Sequence, residues 1–375
     1  MGVVVQKYGG SSVSDIDKLN AVAGRVVKAK QVNEGLVVVV SAMGNTTDEL
    51  ISLAQSLTTA PDRRELDMLI SVGERISMSL LAMALKARGV NAVSLTGSQS
   101  GIITDESHAD AKIVAVRPHR VQACLDRGQV VIVAGFQGVS RGGEVTTLGR
   151  GGSDTTAVAL AAALKAEMCE IFSDVDGLYS ADPSVVSAAQ IREAASLSEV
   201  RCLASSGARI LYEGAVAYAQ RHDITLVLRS AFSDAVGTRV ATDVEAAEVL
   251  AVAVDDDVVI LPVTPEGDKQ VCALLACGGK LRIGTKDAYY VNLTNVSDDE
   301  TCFGSPVALV TVVGHGWFGV AHGMTRLMQH LQPVCPAAQI VYGDTTRLVF
   351  CVKRASAPRL ASALHGVLLE RPSGS

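Results

Sequence analysis

The densest group of chemically useful residues is the loop Thr146–Thr156, where three glycines, an arginine, an aspartate and several hydroxyls precede an Ala-rich helical pattern. Arg150 suits two-pronged capture of a carboxylate, and Asp154 could hold an ammonium group or orient a lysine. A flexible turn with a Ser/Asp helix cap would account for Ser153 and Asp154. It leaves Arg150 and the repeated glycines unexplained, so the pattern favours a functional loop.

A second loop, Lys7–Ser12, follows a strand-like run at the N-terminus. Gly9 and Gly10 let the backbone approach a ligand closely, and Lys7 can place a positive charge on a phosphate. Taken alone, the loop is more typical of a tight turn with a surface lysine, and the spacing of a Walker A loop is absent.

A third loop, Ser41–Thr47, is rich in hydroxyls and also lies between a strand-like run and a helical pattern. Such a turn can bind a carboxylate or a phosphate. Thr46, Thr47 and Asp48 would also cap the following helix without any ligand, which is the simpler interpretation of this loop on its own.

Two further features carry carboxylates. Glu74 lies in an apolar helical run, where it could be exposed, pair with Arg75 or receive a substrate ammonium group. The segment Phe172–Pro183 is a strand running into an Asp-rich turn, which could cradle the base and ribose of a nucleotide or form only a rigid β-turn. A Ca²⁺ loop is disfavoured because the remaining acidic EF-hand positions are missing.

These loops require a scaffold that brings strand ends together. Through residues 3–240, short apolar runs alternate with helical patterns, which predicts a mainly parallel sheet with helices on both faces and ligands at the carboxyl ends of the strands. The predicted strands are Leu36–Val40, Ala92–Leu95, Val130–Ala134, Cys169–Phe172 and Thr225–Leu228, and the predicted helices are Ile16–Lys30, Leu66–Arg88 and Thr155–Ala166.

The pattern changes near residue 245, so we predict domains at 1–245 and 246–375. Closely spaced strands follow, with two helical patterns, which is typical of an α+β domain that senses small ligands. The strands are Val249–Val254, Val258–Val263, Ala288–Thr294, Val307–Val313 and Leu348–Val352, and the helices are Gly319–Leu331 and Ala357–Leu369.

The composition narrows the function classes. Hydrophobic residues make up 48 % of the 375 residues and charged ones 19 %, as in an ordinary globular protein. A net charge of -6 disfavours nucleic acid as a partner. We expect no membrane span and no signal segment. The eight scattered cysteines are typical of small buried residues in a reducing compartment, so a cytoplasmic location is expected.

Taken in order, the loops resemble those of aspartate kinases in the amino acid kinase family, and the actinobacterial members most. The resemblance covers residues 3 to about 245 and rests on six segments: Lys7–Ser12, Val40–Gly44, Gly73–Ser77, Gly135–Gly138, Leu148–Asp154 and Ser173–Tyr179. It implies a three-layer αβα amino-acid kinase fold and transfer of a phosphoryl group from ATP to the side-chain carboxylate of L-aspartate, the first step of the aspartate pathway.

The resemblance also implies roles for single residues. Lys7, with Asp154, would act on the transferring phosphoryl group, and Glu74 and Arg150 would hold the substrate α-ammonium and α-carboxylate. The other substrate contacts would be Ser41, Thr47 and Ser153, and the ATP contacts would be Gly9, Gly10, Ser173, Asp174, Tyr179, Asp182 and Arg209. Mg²⁺ would be held mainly by the ATP phosphates, with no metal ligands from the protein. Arg209 stands where the family commonly has a lysine, which bears on ATP affinity.

The C-terminal third resembles the family less closely. Residues 307–370 are similar to one ACT module, whose usual Pro-Gly turn is replaced by His315–Val320, and residues 248–306 look like a shortened remnant of another. Such modules imply a homodimer or higher homo-oligomer and a possible amino-acid effector. Our hypothesis is weak or absent control by lysine and threonine. In the alternative, the usual module pairing survives with altered loops.

Two other functions remain open at this point. A related kinase could act on glutamate, carbamate or UMP, although Glu74, Arg150 and the sensor-like domain argue against it. A degenerate kinase could serve as an amino-acid-binding regulatory subunit. The intact set Lys7, Glu74, Arg150 and Asp154 argues against that function.

Overall fold

The computed structural model describes residues 2–208, 210–277, 279–294, 296, 304–315 and 321–369. The chain forms two compact units: unit 1 is Met1–Leu178 with Leu211–Asp243, and unit 2 is Tyr179–Ile210 with Val244–Ser375. The predicted division at residue 245 differs from this grouping because Tyr179–Ile210 joins the C-terminal unit. The physical reason is that Ala181 and Val186 belong to the same buried cluster as the C-terminal helices.

The described residues form strands and helices in the following chain order. The strands are β1 Val3–Tyr8, β2 Gly35–Val40, β3 Ala92–Leu95, β4 Ile102–Thr104, β5 Ile113–Val116, β6 Val130–Ala134, β7 Gln137–Ser140, β8 Val145–Thr147, β9 Met168–Ser173, β10 Ala194–Ser196, β11 Leu226–Ser230, β12 Thr238–Ala241, β13 Ala251–Pro262, β14 Lys280–Gly284, β15 Ala288–Asn292, β16 Ser305–Val313, β17 Gln339–Gly343 and β18 Arg347–Val352. The helices are α1 Ile16–Val32, α2 Thr46–Gln55, α3 Arg63–Ile70, α4 Val72–Lys86, α5 His119–Leu125, α6 Gly152–Leu164, α7 Leu197–Ser205, α8 Glu213–His222, α9 Pro265–Ala276, α10 Ala321–Leu331 and α11 Ala357–Leu368.

Unit 1 is built on a sheet in which seven of its strands lie in the order β12-β11-β9-β1-β2-β6-β3. All neighbours in this series are parallel except β11 and β12. Every residue of β2 and β6 is buried, as expected of central parallel strands covered on both faces. Helices α1 and α4 pack on one face, and α6 and α8 pack together against the other. The predicted three-layer αβα fold is confirmed.

One predicted helix of unit 1 is two helices in the structure. The pattern Leu66–Arg88 corresponds to α3 and α4, which meet at Ser71. The backbone carbonyl of Ser71 accepts a hydrogen bond of 2.7 Å from Gln137 Nε2. Hydrophobic periodicity cannot show such a break, because the apolar spacing continues across it.

The same stretch, Arg63–Lys86, meets the length and composition of a membrane-crossing helix within the described part of the chain, which the sequence analysis did not expect. Half of its apolar window is buried inside the protein. Asp67 and Glu74 are among its buried residues. Core helices of soluble proteins have the same properties, so the stretch is weak grounds for a membrane assignment.

Unit 2 contains a six-stranded sheet in the order β14-β15-β13-β16-β18-β17, with every pair antiparallel. The two strands predicted at Val249–Val254 and Val258–Val263 are the single strand β13. Its register against β16 shifts between Asp255 and Val258, so the strand is bulged there. The sequence prediction was wrong because the polar residues Asp255–Asp257 look like a turn.

The sheet of unit 2 combines two β-α-β-β modules through their first strands, β13 and β16. The first module contains α9 and β14, which the sequence analysis did not predict. Thr264 caps α9 and Pro265 occupies its first turn, which is a recognisable start signal. The first module is therefore less reduced than expected. Most of Val296–Ser305, where no second helix was expected, and nearly all of His315–Val320 lie outside the described residues.

Candidate active site

The functional loops of unit 1 emerge at one edge because the strand ends are in register. Tyr8 pairs with Val40 and with Phe172, and Val40 pairs with Ala134. Backbone hydrogen bonds continue past the strands: Ser41 N–H donates to the Tyr8 carbonyl at 3.1 Å and Gly9 N–H to the Phe172 carbonyl at 3.3 Å. The loops after β1, β2, β6 and β9 are thus fixed side by side.

An ion pair lies at this edge. Lys7 Nζ, near the end of β1, is 2.7 Å from Asp154 Oδ1 in the first turn of α6, and the two side chains are 13 % and 14 % exposed. The ammonium is close enough for an ion pair, although it is not aligned as a hydrogen-bond donor to this oxygen. Asp154 therefore holds the lysine charge at the strand end.

The glycine pair beside Lys7 makes space of two kinds. A Cβ on Gly10 would lie 2.9 Å from the Ala42 carbonyl oxygen, so Gly10 allows the loops after β1 and β2 to pack together. The nearest atom to a Cβ on Gly9 is Lys7 Nζ itself, at 3.5 Å. The fully buried Ser12 hydroxyl has no hydrogen-bond partner in the described part of the chain. This loop can accept an anion next to the lysine.

Glu74 lies in the first turn of α4 and is 3 % exposed. Its Oε1 accepts a hydrogen bond of 3.0 Å from the Ala42 N–H, whereas its Oε2 has no partner among the described residues. Burial raises the pKa of Glu74 to about 7. One carboxylate oxygen is therefore held and the other is available to a donor such as an ammonium group.

Arg150 lies between two glycines in left-handed conformations, Gly149 with φ of 69° and Gly151 with φ of 70°. Its side chain is exposed and forms no ion pair with any residue that the structure describes. Ser153 is buried at the start of α6. Its Oγ would lie 2.7 Å from a Cβ added to Gly135, the residue that follows β6. The glycines thus place a free guanidinium next to a helix start that packs against the end of β6.

The remaining substrate candidates, Ser41 and Thr47, are half-buried in the segment that follows β2. Ser41 follows β2 directly, and Thr47 lies in the first turn of α2. Gly44 N–H of this loop donates to the Gly10 carbonyl at 3.1 Å. The structure therefore places one set of predicted residues in the loops and helix starts at the carboxyl ends of β1, β2, β6 and β9: Lys7, Gly9, Gly10, Ser41, Thr47, Glu74, Ser153 and Asp154.

The residues predicted to bind ATP do not all belong to the same unit. Ser173 ends β9, next to the strand of Lys7, and the exposed Asp174 follows it. Tyr179 and Asp182 belong to unit 2. There Asp182 Oδ1 accepts hydrogen bonds from the Ser184 N–H at 2.8 Å and hydroxyl at 2.6 Å. Arg209 lies outside the described residues.

The carboxylate of Asp67, which is fully buried on α3, was not among the residues predicted from the sequence. It accepts hydrogen bonds from Thr147 Oγ1 at 2.5 Å and from the Ala109 N–H at 3.1 Å, and its Oδ2 lies 2.7 Å from His108 Nδ1. A signal was available, because Asp67, like Glu74, is a carboxylate in an apolar helical run.

Comparison with known proteins identifies the family to which the chain that carries this site belongs. A model of the amino acid kinase family matches residues 2–230, more than half of the chain. The chain belongs to the amino acid kinase family. An aspartokinase from Mycobacterium tuberculosis is 53 % identical to it over 246 residues, which are 65 % of this chain and 58 % of the relative. The match thus takes in less than two thirds of that relative's length.

Solved structures agree with this assignment. An aspartate kinase from Synechocystis is 33 % identical, with a TM-score of 0.59, and the match covers 100 % of this chain and 71 % of the other. E. coli aspartokinase III in complex with aspartate and ADP has a TM-score of 0.83, covering 98 % of this chain and 100 % of the other. At 24 % identity the latter shows the fold alone. Within the family, the chain groups with the aspartate kinases.

Proposed function

We propose that the chain transfers the γ-phosphoryl group of ATP to the β-carboxylate of L-aspartate, giving 4-phospho-L-aspartate and ADP. The observation that carries this proposal is the meeting, at one sheet edge, of the Lys7–Asp154 ion pair with a buried Glu74 that has a free oxygen. A phosphate site and an ammonium site at the same edge suit phosphorylation of an amino acid.

The substrate groups match the charges of the site. Glu74 Oε2 would accept a hydrogen bond from the α-ammonium, and the exposed guanidinium of Arg150 would donate two N–H bonds to the α-carboxylate. With both α-groups held, the β-carboxylate is left to face the phosphoryl group. Ser41, Thr47 and Ser153 are the hydroxyls that would complete this pocket.

The chemical step needs correct positioning of the substrates and neutralisation of the phosphate charge more than it needs a nucleophile from the protein. Lys7 would offset the charge on the γ-phosphoryl oxygens, with Asp154 holding the ammonium in place. An ionised β-carboxylate is itself the nucleophile, so no general base is required. The backbone at Gly9 and Gly10 would pass close to the phosphates, since no side chain intervenes there.

For ATP itself we propose Ser173 and Asp174, together with Tyr179, Asp182 and Arg209 on family resemblance. No group of three or more His, Cys, Asp or Glu side chains in the described part of the chain is placed to hold a metal ion. We therefore propose that Mg²⁺ binds through the ATP phosphates and water, where it would offset the charge of the phosphates.

We also propose a homodimer or higher homo-oligomer in the cytoplasm, acting in the biosynthesis of amino acids from aspartate, with an amino-acid effector possible at unit 2. Our proposal of weak lysine and threonine control now rests on His315–Val320 in place of the usual Pro-Gly turn. The other ground, the lack of a second helix in the first module, falls on Val296–Ser305, most of which lies outside the described residues. Titrating activity with lysine, threonine and methionine tests this proposal, and strong sub-millimolar inhibition by lysine plus threonine would overturn it.

The activity itself is tested by ADP release with aspartate, glutamate, carbamate and UMP as acceptors. The acyl phosphate product is trapped separately with hydroxylamine. We expect turnover with aspartate and a trapped aspartyl hydroxamate. Turnover with glutamate but not aspartate would replace the proposed substrate. A folded protein that binds aspartate but releases no ADP would instead be a regulatory subunit.

A further inference from the structure

We propose that Asp67, together with His108, positions the loop that carries Arg150 relative to the helix that carries Glu74, and so sets how tightly aspartate is recognised. This inference rests on the proposed function. Asp67 is a positioning residue in this account, because it contacts protein groups only.

The Asp67 carboxylate is fully buried and fully engaged. Oδ1 accepts from the Thr147 hydroxyl at 2.5 Å and from the Ala109 N–H at 3.1 Å. Oδ2 lies 2.7 Å from His108 Nδ1 and 3.2 Å from the Ala109 nitrogen. A carboxylate accepts, so His108 carries its proton on Nδ1 in this contact. Three donor groups from two separate segments, the loop of His108 and Ala109 and the end of β8, therefore converge on one side chain.

Both of those segments adjoin the residues around Arg150. Thr147 is the last residue of β8 and precedes Arg150 by three residues. The Thr147 carbonyl accepts a hydrogen bond from the Ala111 N–H at 2.9 Å. The Ala109 carbonyl oxygen would lie 3.1 Å from a Cβ added to Gly149, the residue before Arg150. Ala109 has a φ of 70°, a conformation unusual for alanine. Its hydrogen bond to Asp67 holds it there, against the glycine next to Arg150.

The other end of the network is the helix pair that carries Glu74. Asp67 lies on α3, and its carbonyl accepts from the Ser71 N–H at 3.1 Å at the junction with α4. Gln137 Nε2 donates to the Ser71 carbonyl at 2.7 Å and fixes the junction to β7. Glu74 lies two turns after Asp67. Asp67 is thus the side chain that ties the helix bearing the ammonium receptor to the loop bearing the carboxylate receptor.

A purely structural role for Asp67 makes different predictions. If Asp67 were only structural, its loss would lower the unfolding temperature and would weaken the binding of aspartate and of ATP alike. Its effect would add to that of Arg150→Ala. A positioning group acts through Arg150. Its loss therefore weakens the binding of aspartate selectively, and it has little further effect on that binding once Arg150 has been removed.

The test is a double-mutant cycle of Asp67→Asn and Arg150→Ala in the full chain, with KM for aspartate, KM for ATP and kcat measured for each variant. Glu65→Gln, an exposed carboxylate on α3, is the matched control. We expect Asp67→Asn to raise KM for aspartate about tenfold, with KM for ATP changed less than about twofold. In the Arg150→Ala background the same change should add less than about twofold. Additive effects, or an unchanged KM for aspartate in folded Asp67→Asn, would overturn the inference.

A second pair of variants keeps the test valid if Asp67→Asn does not fold. His108→Asn retains a donor near the Nδ1 position, whereas His108→Leu removes it. We expect His108→Leu to raise KM for aspartate and His108→Asn to restore most of it; equal values for the two would count against the network. Wild-type turnover with aspartate is measured first. Its absence contradicts the proposed function, whereas turnover with an additive cycle contradicts only this inference.

Discussion

Lys7 Nζ and Asp154 Oδ1 are 2.7 Å apart, and they join the end of β1 to the first turn of α6. Both side chains are largely removed from water, and burying an ion pair costs desolvation energy that the pair regains only in part. Such a pair contributes little net stability. Its value lies in holding a positive charge beside the open backbone of Gly9.

Removing the Lys7 charge should stop phosphoryl transfer. We expect Lys7→Ala to lower kcat by at least about 10³-fold, because the charge on the transferring group would no longer be offset. Circular dichroism and thermal unfolding should show a folded protein. Lys18→Ala, which alters a partly exposed lysine paired with Asp15, serves as the control and should keep its activity. A near-wild-type rate for Lys7→Ala would place the phosphate site elsewhere.

Glu74 should make stability depend on pH. Its folded-state pKa of about 7 lies above the ordinary glutamate value of 4.5, so the ionised form disfavours folding. Its contribution to stability is complete below pH 4.5 and is lost as the pH rises through about 7. The pKa difference corresponds to an upper limit of about 3 kcal/mol. Urea unfolding should show Glu74→Gln more stable than wild type at pH 8 and equal to it at pH 4, and a constant difference would contradict this assignment.

The same carboxyl group should couple substrate binding to a proton. A bound ammonium favours the ionised form of Glu74, so aspartate binding near pH 7 should release part of a proton. Calorimetry in two buffers with different ionisation enthalpies measures this release. KM for aspartate should rise as the pH falls below 7, and KM for ATP should change less. Glu74→Gln should bind aspartate weakly and release no proton.

The αβα fold and the gathering of the candidate loops at one sheet edge could be predicted from the sequence, because both depend on local signals. Buried strands such as β2 are continuous apolar runs, and the residues that follow them are glycines, hydroxyls and charges. Three kinds of feature could not be predicted. The bulge at Asp255 looks like a turn, the break at Ser71 leaves the apolar spacing intact, and the partners of Asp67 lie about 40 and 80 residues away. Each depends on tertiary contacts that no local pattern records.

Gly9 and Gly10, in the loop after β1, should respond differently to the same substitution. Gly10→Ala would bring a methyl group to 2.9 Å from the Ala42 carbonyl oxygen, so we expect a loss of about 1–3 kcal/mol in unfolding free energy. Gly9→Ala meets nothing closer than Lys7 Nζ at 3.5 Å. It should leave stability nearly unchanged while raising KM for ATP. Urea unfolding and initial-rate kinetics on both variants separate the two effects, and a stable Gly10→Ala would contradict this packing.

In unit 2, Arg282 Nε lies 2.7 Å from the buried carboxylate of Asp255, and Arg282 Nη1 donates to the Ser205 carbonyl at 3.0 Å. Asn292 Nδ2 donates to the other Asp255 oxygen at 2.7 Å. Arg282→Met leaves that carboxylate without its countercharge, which should cost about 3 kcal/mol in unfolding free energy. Because the same guanidinium holds Ser205, shortly before the proposed ATP contact Arg209, KM for ATP should rise more than KM for aspartate. Arg239→Met, at an exposed ion pair in unit 1, is the control and should change stability by less than about 1 kcal/mol. If Arg282→Met were as stable as this control, the buried carboxylate would have to be protonated or solvated rather than paired.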